Sequence, residues 1–164
     1  MTDPHPHAQS GYQLRFDWGA AGAAAILPGA DVLVWVDQLG EGPVPSAGVP
    51  VVGGRLQNAA AVAAWALARQ EELGGRFRIA VAAAGALRPD GSLRFAVEDL
   101  LAAGAVIEEL AALGIDHSSP EAAAAAASYT GLRRAARHLL SASASARESG
   151  EAIELTPSDE VPLL

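Results

Sequence analysis

The chain has 164 residues, 51% of them apolar but only 5% aromatic, and a formal net charge of −8. That length fits one domain, and the acidic balance argues against nucleic acid, whose phosphate backbone demands a basic face. The chain has no cysteine, which excludes disulfides, thiolate catalysis and cysteine metal sites, and no lysine, which excludes Schiff-base chemistry.

Residues 1–10, polar and rich in His and Pro, read as a disordered leader without a signal-peptide pattern. No apolar run reaches membrane-spanning length, so the expectation is a soluble, cytoplasmic chain. Residues 12–16 alternate apolar and polar, as a half-buried or edge strand does. Residues 18–27 suit a short alanine helix ended by Pro28-Gly29. Residues 31–36 (DVLVWV) are a strand covered on both faces, ending at Asp37. Residues 38–50 hold prolines and glycines without a period and read as loop; a short strand restarts at 49–52.

Residues 58–73 have helical spacing, stopped by Gly74-Gly75. Residues 77–83 read as a strand and 85–92 as a loop turning at Pro89-Asp90-Gly91. The apolar stripe of Val97, Leu100, Leu101, Gly104, Ile107 and Leu110 predicts a helix over 95–113. Ser118-Ser119-Pro120-Glu121 opens another helix through a serine cap with Pro in its first turn, reaching about Tyr129. A last helix is expected over 132–145, and 148–164 reads as a polar tail, leaving 11–147 as the domain. Arg133, Arg134 and Arg137 form a solvated basic stripe, and His117 and His138 fit surface or cap positions; His5 and His7 fall in the leader.

Strands alternating with helices predict an α/β fold of three layers, a mostly parallel sheet with helices on both faces. Three clear strands and a weaker one make a small sheet, which suggests completion by a second copy in a homo-oligomer.

Ligands of open parallel sheets gather at the carboxyl ends of strands, beside helix N-termini. Asp37 ends an interior strand. Gly53-Gly54 to Asn58 joins a strand to a helix, with backbone N–H groups open to an anion. Gly85 follows the next strand, and Glu98 and Asp99 stand in the first turn of the following helix. Asp37, Glu98 and Asp99 converging on one Mg²⁺ is one reading. The other is structural: a strand-end turn residue, and acids favoured by the helix macrodipole. Neighbours on a helix diverge, so at most one of Glu98 and Asp99 reaches a metal directly. No nucleophile elbow, HExxH, GxGxxG or Walker loop is present.

Segments 12–19 (YQLRFDWG), 30–37 (ADVLVWVD), 51–63 (VVGGRLQNAAAVA), 80–104 (AVAAAGALRPDGSLRFAVEDLLAAG) and 114–121 (GIDHSSPE) occur in an order that resembles the 2-phosphosulfolactate phosphatase family, closest to its actinobacterial branch. The resemblance implies Mg²⁺-dependent hydrolysis of a small phosphate monoester. It implies catalytic roles for Asp37 and Asp99, metal ligation by Asp37, Glu98 and Asp99, and substrate binding at Gly53, Gly54, Asn58 and Gly85. The chain departs from the family in the middle. The Ser/Thr-rich turn after Asp37 is replaced by Gln38-Leu39-Gly40-Glu41. A long stretch carrying an Asn-Gly-Ser/Thr loop is reduced to the segment ending at Pro50, and Gly-Glu-Arg becomes Gly85-Ala86-Leu87. The alternative is therefore a catalytically inactive descendant serving as a binding or assembly module.

Overall fold

The computed structural model describes residues 5–40 and 42–164. Four strands, β1 (Leu14–Trp18), β2 (Val32–Val36), β3 (Val51–Gly54) and β4 (Ile79–Ala83), form one sheet in the order β1-β4-β2-β3, with every pairing parallel. Helix α1 (Gly19–Ile26) follows β1, α2 (Ala59–Leu73) follows β3 through a 3₁₀ turn, and α3 (Val97–Ala112) and α4 (Pro120–Leu132) follow β4. The α/β expectation holds.

Strand pleating divides the core. Val32, Val34 and Val36 point to the face covered by α2, α3 and α4, with Val62, Val106 and Ala125 opposite. Leu33 and Trp35 point the other way, with Ala23 and Ile26 of α1 and with Ala47 and Val49 of the loop after β2. Three helices cover one face; one helix and a loop cover the other.

The small residues are packing devices. Gly104 lets α3 and α4 touch: a Cβ there would stand 2.8 Å from Tyr129 Cβ and closer still to the Ala125 carbonyl oxygen. Helix propensity alone would make Gly104→Ala stabilising by about 1 kcal/mol. The clash is with backbone, so the expected result in urea unfolding is the opposite sign, a loss of about 1–3 kcal/mol.

Four expectations change. Residues 6–9 of the expected leader are ordered: Pro6–Ala8 form a 3₁₀ turn and Gln9 is buried, its amide accepting from Phe16 N (3.0 Å) and donating to Phe16 O (2.8 Å). The side chain stands in for a neighbouring strand on the edge of β1, a role invisible to composition; residues 1–4 lie outside the described residues. The polar positions of the strand expected over 12–16 are not solvated: Gln13, just before β1, and Arg15 within it are buried and bonded to backbone carbonyls. The loop over 85–92 opens a hairpin, β5 (Ala86–Leu87) against β6 (Leu93–Arg94), about the Pro89-Asp90-Gly91 turn. The last helix is broken. Arg133–Ala135 are 3₁₀, α5 (Ala136–Ala142) ends at Ser143 in extended conformation, and the Ser143 hydroxyl caps α6 (Ala144–Ser149) by accepting from Ala146 N. A serine that satisfies a helix start competes with continuing the helix before it.

The tail after α6 is fixed against the sheet. Leu163 bridges Val52 antiparallel, and Ser158 N donates to Gln57 O at 2.8 Å.

A cavity at the carboxyl ends of the strands

The loop after β2 leaves part of its sheet face uncovered, and a cavity of about 590 Å³ opens there. Its wall includes Trp35, Asp37, Gly53, Gly54, Arg55 and Asn58, and on the far side Ser158 and Glu160 of the tail. Asp37 is half-buried at the exit of β2, where its Oδ2 accepts from Gly42 N at 3.2 Å. Gly40 is in close contact with it, since a Cβ there would lie 2.6 Å from Asp37 Cγ. The indole N–H of Trp35 is buried with no partner among the described residues.

The glycine pair opens the turn for packing reasons. A Cβ on Gly54 would meet Val34 Cγ1 at 2.8 Å, and one on Gly53 would meet Pro162 Cγ at 3.0 Å. The Gly53 N–H already donates to Pro162 O at 2.9 Å. Asn58 is buried and braces this turn: Oδ1 accepts from Arg55 N (2.8 Å), and Nδ2 donates to Gly53 O (2.9 Å) and Glu160 O (3.0 Å).

Gly85, Glu98 and Asp99 stand at the neighbouring strand end, apart from the residues that line this cavity. Asp99, buried in the first turn of α3, accepts from Gln38 N (2.8 Å) and Gly85 N (2.9 Å), and so ties the exits of β2 and β4 to the helix. Gly85 has φ +69°, a left-handed conformation that suits glycine, and its N–H is aimed at Asp99. Burial pushes the Asp99 carboxyl up to about 8, and the charges of Asp37 and Glu98 push the same way, while the two N–H bonds oppose. Glu98 is buried, and its carboxylate has no hydrogen bond among the described residues.

The carboxylates are thus within electrostatic reach of one another, while the cavity holds only Asp37 of the three. Among the described residues, no three acidic or imidazole groups stand close enough to hold an ion together. Mg²⁺ commonly takes one or two carboxylates and completes its shell with water and substrate oxygens. The donor chemistry of Asp37 with one helix acid fits that habit, and a cation would offset the repulsion from Asp37 and Glu98 that adds to burial in raising Asp99.

Sequence reasoning placed Gln38 in a featureless loop. It is buried, its N–H holds Asp99, its Nε2 donates to Gln57 Oε1 (2.9 Å) and its Oε1 accepts from Leu56 N (2.7 Å). Its position two residues past a fully apolar strand was the available signal. His117 and His138 are exposed, as are Arg133, Arg134 and Arg137.

The fold and site define a small α/β domain with a cavity at the carboxyl end of a parallel sheet. Among known families no model matches the chain, and among curated proteins none matches.

Proposed function

We propose that the chain is a Mg²⁺-dependent phosphate-monoester hydrolase of the 2-phosphosulfolactate phosphatase kind. The observation that carries this reading is Asp37, which ends an interior parallel strand and lines a cavity of about 590 Å³ beside the turn into α2. Arg55, on the same wall, supplies the guanidinium that attracts and orients phosphoryl oxygens. Asn58 holds the turn so that the amino end of α2 faces the cavity, and Gln38 with Asp99 fixes the exit of β2 that carries Asp37. Asp37, with Glu98 or Asp99, would hold Mg²⁺, which when bound neutralises charge on the phosphoryl group. The partner is a small phosphate monoester rather than nucleic acid or a membrane, and the compartment is the cytoplasm. No helix among the described residues is long and apolar enough to cross a membrane.

Purified full chain with Mg²⁺ and a panel of small phosphate monoesters tests the reading. Expected is phosphate release that chelation abolishes and that Asp37→Asn lowers at least about a hundredfold in kcat/KM with the circular dichroism unchanged. No release, or release indifferent to Asp37→Asn, sinks it.

A specific observation favours the second reading, a non-catalytic binding or assembly module. The Asp99 carboxylate, beside the cavity, and the Asn58 amide, on its wall, are both engaged by the chain's own backbone, so two of the polar groups the phosphatase reading calls on already serve the fold. A stable homo-oligomer in sedimentation, indifferent to Mg²⁺ and without phosphate release, is its expected signature.

A further inference from the structure

The C-terminal segment is bound to the sheet as a peptide ligand would be. β3 is the outer strand, and residues 162–164 run antiparallel along its free edge. Gly53 N donates to Pro162 O and Leu164 N donates to Val51 O, both at 2.9 Å. Upstream, Asn58 Nδ2 donates to Glu160 O (3.0 Å), Ser158 N to Gln57 O (2.8 Å) and Gln57 Nε2 to Glu154 O (2.7 Å). Every one of these bonds uses the segment's main chain.

Its side chains bury little. Leu163 is 73% exposed and Leu164 55%, and Val161 alone of the segment packs against the core. Gly53 provides the seat: without a side chain there, Pro162 and Leu164 lie flat, 3.0 and 3.5 Å from where a Cβ would stand. Main-chain pairing on a sheet edge, with a small-residue seat for alternate side chains, is how extended peptides are recognised by strand addition. A segment with so little apolar burial opens locally at low free energy, and its release leaves a row of unpaired N–H and C=O groups.

We propose that the outer edge of β3, from Val51 to Asn58, is a docking site for an extended peptide. Its ligand is the segment 154–164 of a second copy of this chain, which takes the place of the chain's own segment once that is released. Docking uses main-chain groups and none of the acidic side chains of the phosphatase reading, so peptide binding and phosphate release are read separately, although Gly53 and Asn58 belong to both sites.

The test uses a full-length chain with residues 156–164 replaced by Gly-Ser repeats, and a fluorescent peptide of residues 154–164 as probe. The peptide is expected to bind the replaced chain at least tenfold more tightly than the unmodified protein, whose edge is filled. Gly53→Leu in the replaced chain is expected to weaken binding at least tenfold. A replaced chain that is folded by circular dichroism yet ignores the peptide up to millimolar overturns the proposal, and so does binding indifferent to Gly53→Leu. Hydrogen exchange on the unmodified protein gives a second readout that needs no variant. The Leu164 and Ser158 amides are expected to exchange together, at least a hundredfold faster than the core amide of Leu33, which donates to Pro50 O. Exchange of all three in step shows a segment that leaves only on global unfolding and overturns the proposal.

Discussion

Raising the pH of the Mg²⁺-free protein from 4 to 8 will lower its unfolding free energy, steepest where the native state still holds a proton that the unfolded chain has lost. The group is Asp99, whose carboxyl sits at about 8 when folded against an ordinary value of 3.8. Below 3.8 both states are protonated and its contribution is fully present. Between the two values only the folded state is protonated, so stability falls by about 1.4 kcal/mol per pH unit. Above 8 both are ionised and the dependence ends. Over the window the loss is on the order of 5 kcal/mol, set first by burial and then by Asp37 and Glu98. Urea midpoints across that range in chelator, for the protein and for Asp99→Asn, isolate the contribution. The two curves are expected to lie closest near pH 4 and to separate as the pH rises towards 8, because only the protein with Asp99 loses stability across that window; parallel curves would show that Asp99 is ionised throughout.

The second large effect is expected at Arg15, which is 1% exposed and has no carboxylate bonded to it among the described residues. Its guanidinium donates instead to backbone carbonyls: Ile26 O (2.9 Å), Pro28 O (2.6 Å), Tyr12 O (3.1 Å) and Ser10 O (3.4 Å). Two of these lie at the end of α1, where helix carbonyls lack intrahelical partners and a cation complements the macrodipole. Arg15→Leu leaves those oxygens buried and unpaired, at about 1–3 kcal/mol for each that water cannot reach. A total loss on the order of 3–5 kcal/mol is expected in denaturant unfolding. Arg15→Lys is expected to recover only part of it, because an ammonium cannot span four carbonyls arranged for a planar fork. A loss below 1 kcal/mol for Arg15→Leu would mean that water replaces the guanidinium.

The interior of the sheet was legible because it is written in local pattern. Val32, Leu33, Val34, Trp35 and Val36 form an unbroken apolar run, and a strand covered on both faces produces nothing else. The stripe on α3 and the Ser119 cap of α4 are likewise readable within one or two turns of chain. What escaped is made of polar side chains bonded to distant backbone. Gln9, Gln13, Arg15 and Gln38 have the composition of surface residues and the burial of core ones, because each closes a hydrogen bond that the sheet or a loop leaves open. At the cavity, sequence correctly put Asp37 and the Gly53-Gly54 turn at strand ends. It had no means of telling that Asn58 and Asp99 point their polar atoms at backbone, since a bracing amide and a ligand-binding amide are the same residue.

The two margins of the sheet are closed from different distances along the chain. Gln9 seals one from only 7 positions away, and the stretch from Ser158 to Leu164 seals the other, through contacts such as Asn58 with Glu160 that are 102 positions apart. During synthesis the two interior strands and their helices emerge long before the second seal does. The nascent domain therefore waits with β3 bare on its outer side, and the closing step carries a long loop entropy. Folding of the finished polypeptide is expected to end in a slow phase reported by the far end of the molecule rather than by its core.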